Sequence, residues 1–160
     1  MPATSFDEKC LENRALAHPN CLFSKSDLPL SRDLTWNFDK EGHLHGRFTC
    51  SKLYQGYTGV IHGGIISACI DISMTHFLFG HGVVGYTADL NITYKKPLKT
   101  AIDAQILVTL KKSEFDALFT LSTSITQEGI LKVLASGRFL RAKDQPGNIT
   151  GSPVSEILQE

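Results

Sequence analysis

Residues 65–80 dictate what the rest of this 160-residue chain has to do. They form a mostly apolar run in which Asp71 is the single acid, led in by Gly59-Val60-Ile61-His62-Gly63-Gly64 and closed by Gly80 and Gly82. Glycines at entry and exit bound a helix whose apolar positions run all the way round, where a surface helix would show only a stripe. A helix of that kind belongs inside something. It is too short, and too often interrupted by Ser67, Asp71, Ser73, Thr75 and His76, for a bilayer span. The enclosing material is therefore expected to be protein.

The flanking chain offers strands for that purpose. Leu34, Trp36 and Phe38 alternate with polar residues, Lys40-Glu41-Gly42 turns the chain, and Leu44, Gly46, Phe48 and Cys50 alternate again, which predicts a hairpin. After the helix, Tyr86, Ala88, Leu90, Ile92 and Tyr94 alternate with Thr87, Asp89, Asn91 and Thr93 until Pro97 ends the ladder. Residues 102–112, 115–126 and 130–141 complete the set. Ahead of the first strand, Ser5-Phe6-Asp7-Glu8 has the form of a capping box and opens a short helix with Phe6, Cys10 and Leu11 on one side. This order predicts an α+β fold in which an antiparallel sheet curls around one long central helix, with a second protein surface completing its burial. Three segments follow: an N-terminal helix and connector over residues 1–33, the main domain over 34–143 and a loosely ordered tail over 144–160.

Composition narrows the setting. Sixteen basic residues balance sixteen acidic ones, which argues against a nucleic-acid partner or an anionic membrane surface. Cys10, Cys21, Cys50 and Cys69 form no close pair, and a domain of this size needs no disulfide staples, so a reducing, cytoplasmic compartment is expected. Asp7, Glu8 and Glu12 near the start, without a long apolar run beside them, predict no secretory signal.

Gln55-Gly56-x-x-Gly59-x-x-His62-Gly63-Gly64, Asp71 nine positions past the histidine, and Thr87-x-Asp89-Leu90-Asn91-Ile92-x-Tyr94-x-x-Pro97 together resemble the hotdog-fold acyl-CoA thioesterases. The resemblance is to the branch typified by the phenylacetic-acid-degradation thioesterases, and it runs from about Trp36 to Arg141. It implies an acyl-CoA substrate, hydrolysis of its thioester, and a homodimer with two composite sites, itself pairing into a homotetramer as a dimer of dimers. It also implies Asp71 as nucleophile or general base, the Gly64 amide as carbonyl polariser, Gln55 as a polar contact and Thr87 as a hydroxyl near the attacking water. Some relatives carry asparagine where this chain has Gly56, whereas glutamine stands here one place earlier.

The residues themselves permit this chemistry. A helix start offers free N–H groups and the positive end of the macrodipole, and Gly63 and Gly64 let a carbonyl approach. Seven positions separate Gly64 from Asp71, about 10 Å of helical rise, while a reacting carbon must lie roughly 3 to 3.5 Å from its nucleophile. One chain cannot easily bring both groups to one carbonyl; antiparallel helices from two chains can. Blander readings stand beside these. Asp71 could bond a helix start, Ser67 or Thr75; His62 could fix a loop or position substrate more readily than transfer a proton; and the glycines could serve tight helix–sheet contact.

The polar residues of the strand at 86–95 share one face in this reading, and Asn91 is assigned to substrate or subunit contact. Lys95, Lys96 and Arg138 are candidate partners for coenzyme A phosphates. His43 and His45 lack a third ligand and His76 and His81 share no helical face, so no metal is assigned, nor any cofactor. Two rivals remain: a hydratase or dehydratase on the same fold, using His62 and Asp71 across subunits, and a non-catalytic acyl-CoA-binding module.

Overall fold

The computed structural model describes residues 5–24 and 27–143, so the tail expected over 144–160 lies outside the described residues. Helix α1 (Phe6–Ala17) begins with the capping box its sequence announces: Glu8 N–H donates to Ser5 Oγ at 3.2 Å and Ser5 N–H to Glu8 Oε2 at 2.8 Å. A short α2 (Pro29–Asp33) leads into β1 (Leu34–Phe38), which pairs antiparallel with β2 (Leu44–Phe48) in register Leu34 opposite Phe48. The turn between them needs Gly42, which sits at φ +80° with the Phe6 ring 2.9 Å from where a Cβ would be. The long helix α3 (Gly63–Gly80) follows, then β3 (Gly85–Tyr94), β4 (Ala104–Glu114), β5 (Leu118–Gln127) and β6 (Ile130–Arg141).

The six strands make one antiparallel sheet in the order β1-β2-β4-β5-β6-β3. This corrects the expectation of a sheet curled around the helix. The sheet stays open, β1 and β3 are its two edges, and α3 lies against one face through Ile66, Ile70, Met74 and Phe77. The physical reason is a second cover for the helix. α1 packs on the C-terminal half of α3, where Cys10 clusters with Phe79, Val84 and Ala142, and Asn13 Nδ2 donates to the Phe79 carbonyl at 3.0 Å. Asn13 is buried and Leu11 is 58% exposed, so the buried side of α1 is more polar than its sequence pattern implies. The N-terminal half of α3 has no such cover: Gly64 is exposed and Ala68 and Asp71 are partly so. By length and composition α3 would pass as a membrane span, but two thirds of it is buried inside this fold.

An irregularity in β3 decides which of its side chains meet the helix. The β3–β6 register shifts between Thr87 and Asp89: Thr87 lies opposite Phe139, whereas Asp89 lies opposite Arg138. Phe139 is fully buried on the helix side and Arg138 is exposed on the other. Ala88 is thus a bulge. Thr87, Asp89, Asn91 and Thr93 do not share a face as their alternation predicts; Thr87 alone turns towards α3. Leu90, Ile92 and Tyr94, opposite Gly137, Ala135 and Val133, turn the same way.

Candidate functional site at the start and middle of the central helix

Two groups of candidate residues gather on α3. At its start, His62 is the N-cap, and its Nδ1 accepts the Gly64 N–H at 2.9 Å, which requires the proton of the neutral ring to sit on Nε2. The approach to the cap is a tight loop. Gln55 bridges to Ile61, its Oε1 accepts from Gly59 N–H at 3.2 Å, and Gly59 holds φ +77°. Gln55 therefore shapes the loop that delivers His62. A cavity of about 330 Å³ opens here, lined by Gly63, Ile66, Tyr94, Lys95, Lys96 and Pro97 among others. A neighbouring one of about 340 Å³ is lined by Gly56, Tyr57, Ile61, His62 and Gly63. Lys95 and Lys96 thus stand beside the positive end of the helix, where cationic and dipolar fields add to favour an anionic or carbonyl ligand.

The glycines are not there for close contact with the sheet. A Cβ on Gly64 would meet the His62 ring, at 3.1 Å, and the nearest neighbour of one on Gly63 would be the Tyr94 hydroxyl, at an ordinary 3.6 Å. On its other side the Gly63–Gly64 peptide is held by hydroxyls: the Gly63 carbonyl accepts from Ser67 Oγ at 2.9 Å and Tyr94 OH at 3.0 Å, and those two oxygens lie 2.8 Å apart. Ser67 is thereby committed to the helix start and does not bond the Asp71 carboxylate.

Two turns further on, Asp71 is half-buried and accepts a hydrogen bond from Thr87 Oγ1 at 2.7 Å. Thr75 Oγ1 bonds the Asp71 backbone carbonyl, leaving its carboxylate to Thr87. Burial pushes the Cys50 and Cys69 thiols up to about 12, so both stay protonated near neutrality. Among the described residues no group of three or more His, Cys, Asp or Glu is arranged to hold a metal ion.

Asn91 and Arg138 go elsewhere. Both lie on the outer face of the sheet, where Arg138 pairs with Asp89, so they are not brought together with the helix start. The outward turn of Arg138 follows from β6 alternation, with Gly137 and Phe139 facing the helix.

An open antiparallel sheet carrying one long helix, with a glycine helix start and a carboxylate two turns along it, defines a hotdog-type α+β protein. A family model described as the thioesterase superfamily matches residues 58–108, the span holding His62, Gly63, Gly64, Asp71 and Thr87. Human acyl-coenzyme A thioesterase 13 is 33% identical over 99 residues, covering 58% of this chain and 70% of that protein. Acyl-coenzyme A thioesterase THEM4 of Rattus norvegicus is 38% identical over 88 residues, 54% of this chain but only 38% of that protein, so the chain spans little more than a third of that relative's length. Among solved structures, zebra fish thioesterase superfamily member 2 superposes with a TM-score of 0.70 at 17% identity, over 88% of this chain and 100% of that one. The E. coli PaaI protein gives 0.71 at 12% identity, over 88% and 99%. The chain belongs to the thioesterase superfamily.

Proposed function

We propose that this protein hydrolyses an acyl-CoA thioester, of the kind handled by the phenylacetic-acid-degradation branch, at sites shared between two copies of the chain. One observation carries the reading: Asp71, held by Thr87, and the Gly64 N–H, held by His62, occupy separate stretches of one helix. The carboxylate of one protomer attacks the thioester carbonyl or activates a water to do so, and the helix start of its partner receives the developing oxyanion. His62 Nδ1 marks the place of that oxygen. Its ring is exposed, so an arriving carbonyl can displace it and take the Gly64 N–H in its stead. Lys95 and Lys96 are placed for coenzyme A phosphates. Strand β3, ten residues long, lies at an edge of the sheet among the described residues, which supports a dimer built along it. A homotetramer formed by pairing such dimers, and a cytoplasmic setting, belong to the same reading.

Thiol release from a panel of short, long and aromatic acyl-CoA substrates tests it, with Asp71→Asn as the control. Release by the native protein and its loss in the folded variant are expected. Addition of water to an enoyl thioester without thiol release would assign the hydratase chemistry instead, and tight binding without turnover would assign a binding module.

A further inference from the structure

α1 begins beside His81, with the Phe6 ring centred 4.8 Å from the imidazole, and ends with His18 against Phe79, the two rings edge-on with centroids 5.0 Å apart. Asp71, Thr75 and Phe79 stand four positions apart and so share one side of α3. The N-terminal segment therefore sets an imidazole on the side of the helix that carries the candidate carboxylate. The two groups feel each other. Burial holds the proton affinity of His18 below the usual 6.5, against the pull of the Asp71 carboxylate, so the ring is neutral near pH 7.

The fold does not ask for an imidazole at this place. Backbone alone closes the helix end: His18 N–H donates to the Arg14 carbonyl at 2.9 Å and Cys21 N–H to the His18 carbonyl at 3.2 Å. His18 Nδ1 is enclosed and has no hydrogen-bond partner among the described residues, a penalty that an apolar ring against Phe79 would not carry. The side chain is only half-buried, and the loop it heads surrounds a cavity of about 340 Å³ lined by Ala17, His18, Pro19, Asn20 and Cys21, room enough for several waters. Around it stand Arg14 on α1 and Asp71 and His76 on α3. Burial, and then the charges of Arg14 and His18, lowers His76 to about 3, so that deeper ring takes no proton.

Hydrolysis draws a proton from water, and a carboxylate that accepts it must lose it before the next turnover. We propose that His18 is the positioning residue for that proton: its neutral imidazole receives it from Asp71 by way of solvent and releases it to the surface. An O–H bond of the attacking water breaks, the proton passes from the Asp71 carboxyl to a ring nitrogen and then to bulk water, and Asp71 returns to the carboxylate. The departing sulfur takes up its own proton from solvent. With His76 closed to protons, the path leads outward. This rests on the hydrolytic reading above and adds to it the route by which Asp71 is restored.

His18→Gln keeps a polar side chain that does not titrate, and His18→Phe keeps a ring against Phe79. In thiol-release assays on the full chain each should lower kcat about tenfold, with KM within about twofold of native. Native kcat should fall as the pH drops below 6.5 and the imidazole becomes charged, and this limb should be absent from both variants. Imidazole added to the assay should raise the rate of the variants in proportion to its concentration and leave the native protein unchanged. The His18 ring proton resonance is a readout apart from turnover, and its titration should move to lower pH in Asp71→Asn, where the pull of the carboxylate is gone. Native kcat in both variants, no response to added imidazole, or a His18 titration indifferent to Asp71→Asn would each overturn the inference while leaving hydrolysis in place. If the native protein releases no thiol from any substrate, the hydrolytic reading fails and the inference falls with it.

Discussion

Thr87 Oγ1 donates a hydrogen bond of 2.7 Å to Asp71 Oδ1, joining an edge strand to the middle of the central helix. The contact exists because Ala88 is an extra residue in β3; without it, Thr87 would face away. It holds one oxygen of the carboxylate.

Removing the donor should therefore release the carboxylate without unfolding anything. Thr87→Val, of nearly the same shape, is expected to lower kcat about tenfold or more in thiol-release assays, while Thr87→Ser stays within a few-fold of native. Circular dichroism of both variants should match the native protein.

The junction of α3 with β1 tolerates no side chain at Gly80, where a Cβ would overlap the Phe38 ring. That ring is itself packed against Phe6 and Phe77 and has little room to yield. Gly80→Ala should cost about 1–3 kcal/mol, read as a lower urea midpoint at unchanged slope. Adding Phe38→Leu should recover part of the loss.

Acid should weaken the fold through two buried imidazoles. Burial lowers His76 to about 3 and His81 to about 4, and His76 Nε2 has no hydrogen-bond partner among the described residues. The unfolded chain takes up these protons near 6.5. The stability they confer is thus complete above that value and is lost as pH falls towards 4. Each should remove on the order of 2 kcal/mol by pH 5. Denaturant midpoints at pH 7.5 and pH 5 measure the slope, and His76→Leu should flatten it by about half.

α1 is latched to α3 by the Asn13 amide on the Phe79 carbonyl. Asn13→Ala should cost about 1 kcal/mol and raise amide exchange across α1 while protection in α3 persists. Uniform loss of protection in both helices would contradict a separable latch.

Much of this was legible beforehand, for identifiable reasons. The apolar run with glycine ends reads as a helix because nothing else buries such a stretch, and period-two polarity places the strands. His62, Gly63, Lys95 and Lys96 converge on the helix start, while Asp71 and Thr87 meet further along. The misplaced features of β3 share one cause, since polarity alone does not reveal a bulge: Tyr86 to Tyr94 alternate smoothly although the backbone does not, so alternation groups Thr87 with Asp89 and gives no sign of the Tyr94 contact with Gly63. The all-round apolar surface of α3 predicts a curled sheet because α1, with Asn13 buried and Leu11 exposed, does not advertise that it supplies the missing cover.

Mixing two inactive variants tests the shared site most directly. Asp71→Asn removes the carboxylate, and Gly64→Pro removes an N–H of the first helical turn that makes no intrahelical bond. Each alone should be folded and inactive. Unfolded together and refolded, they should regain thiol release, because a mixed pair holds one site with both native groups. Continued inactivity of the refolded mixture, with mixed pairs verified by mass, would contradict the account.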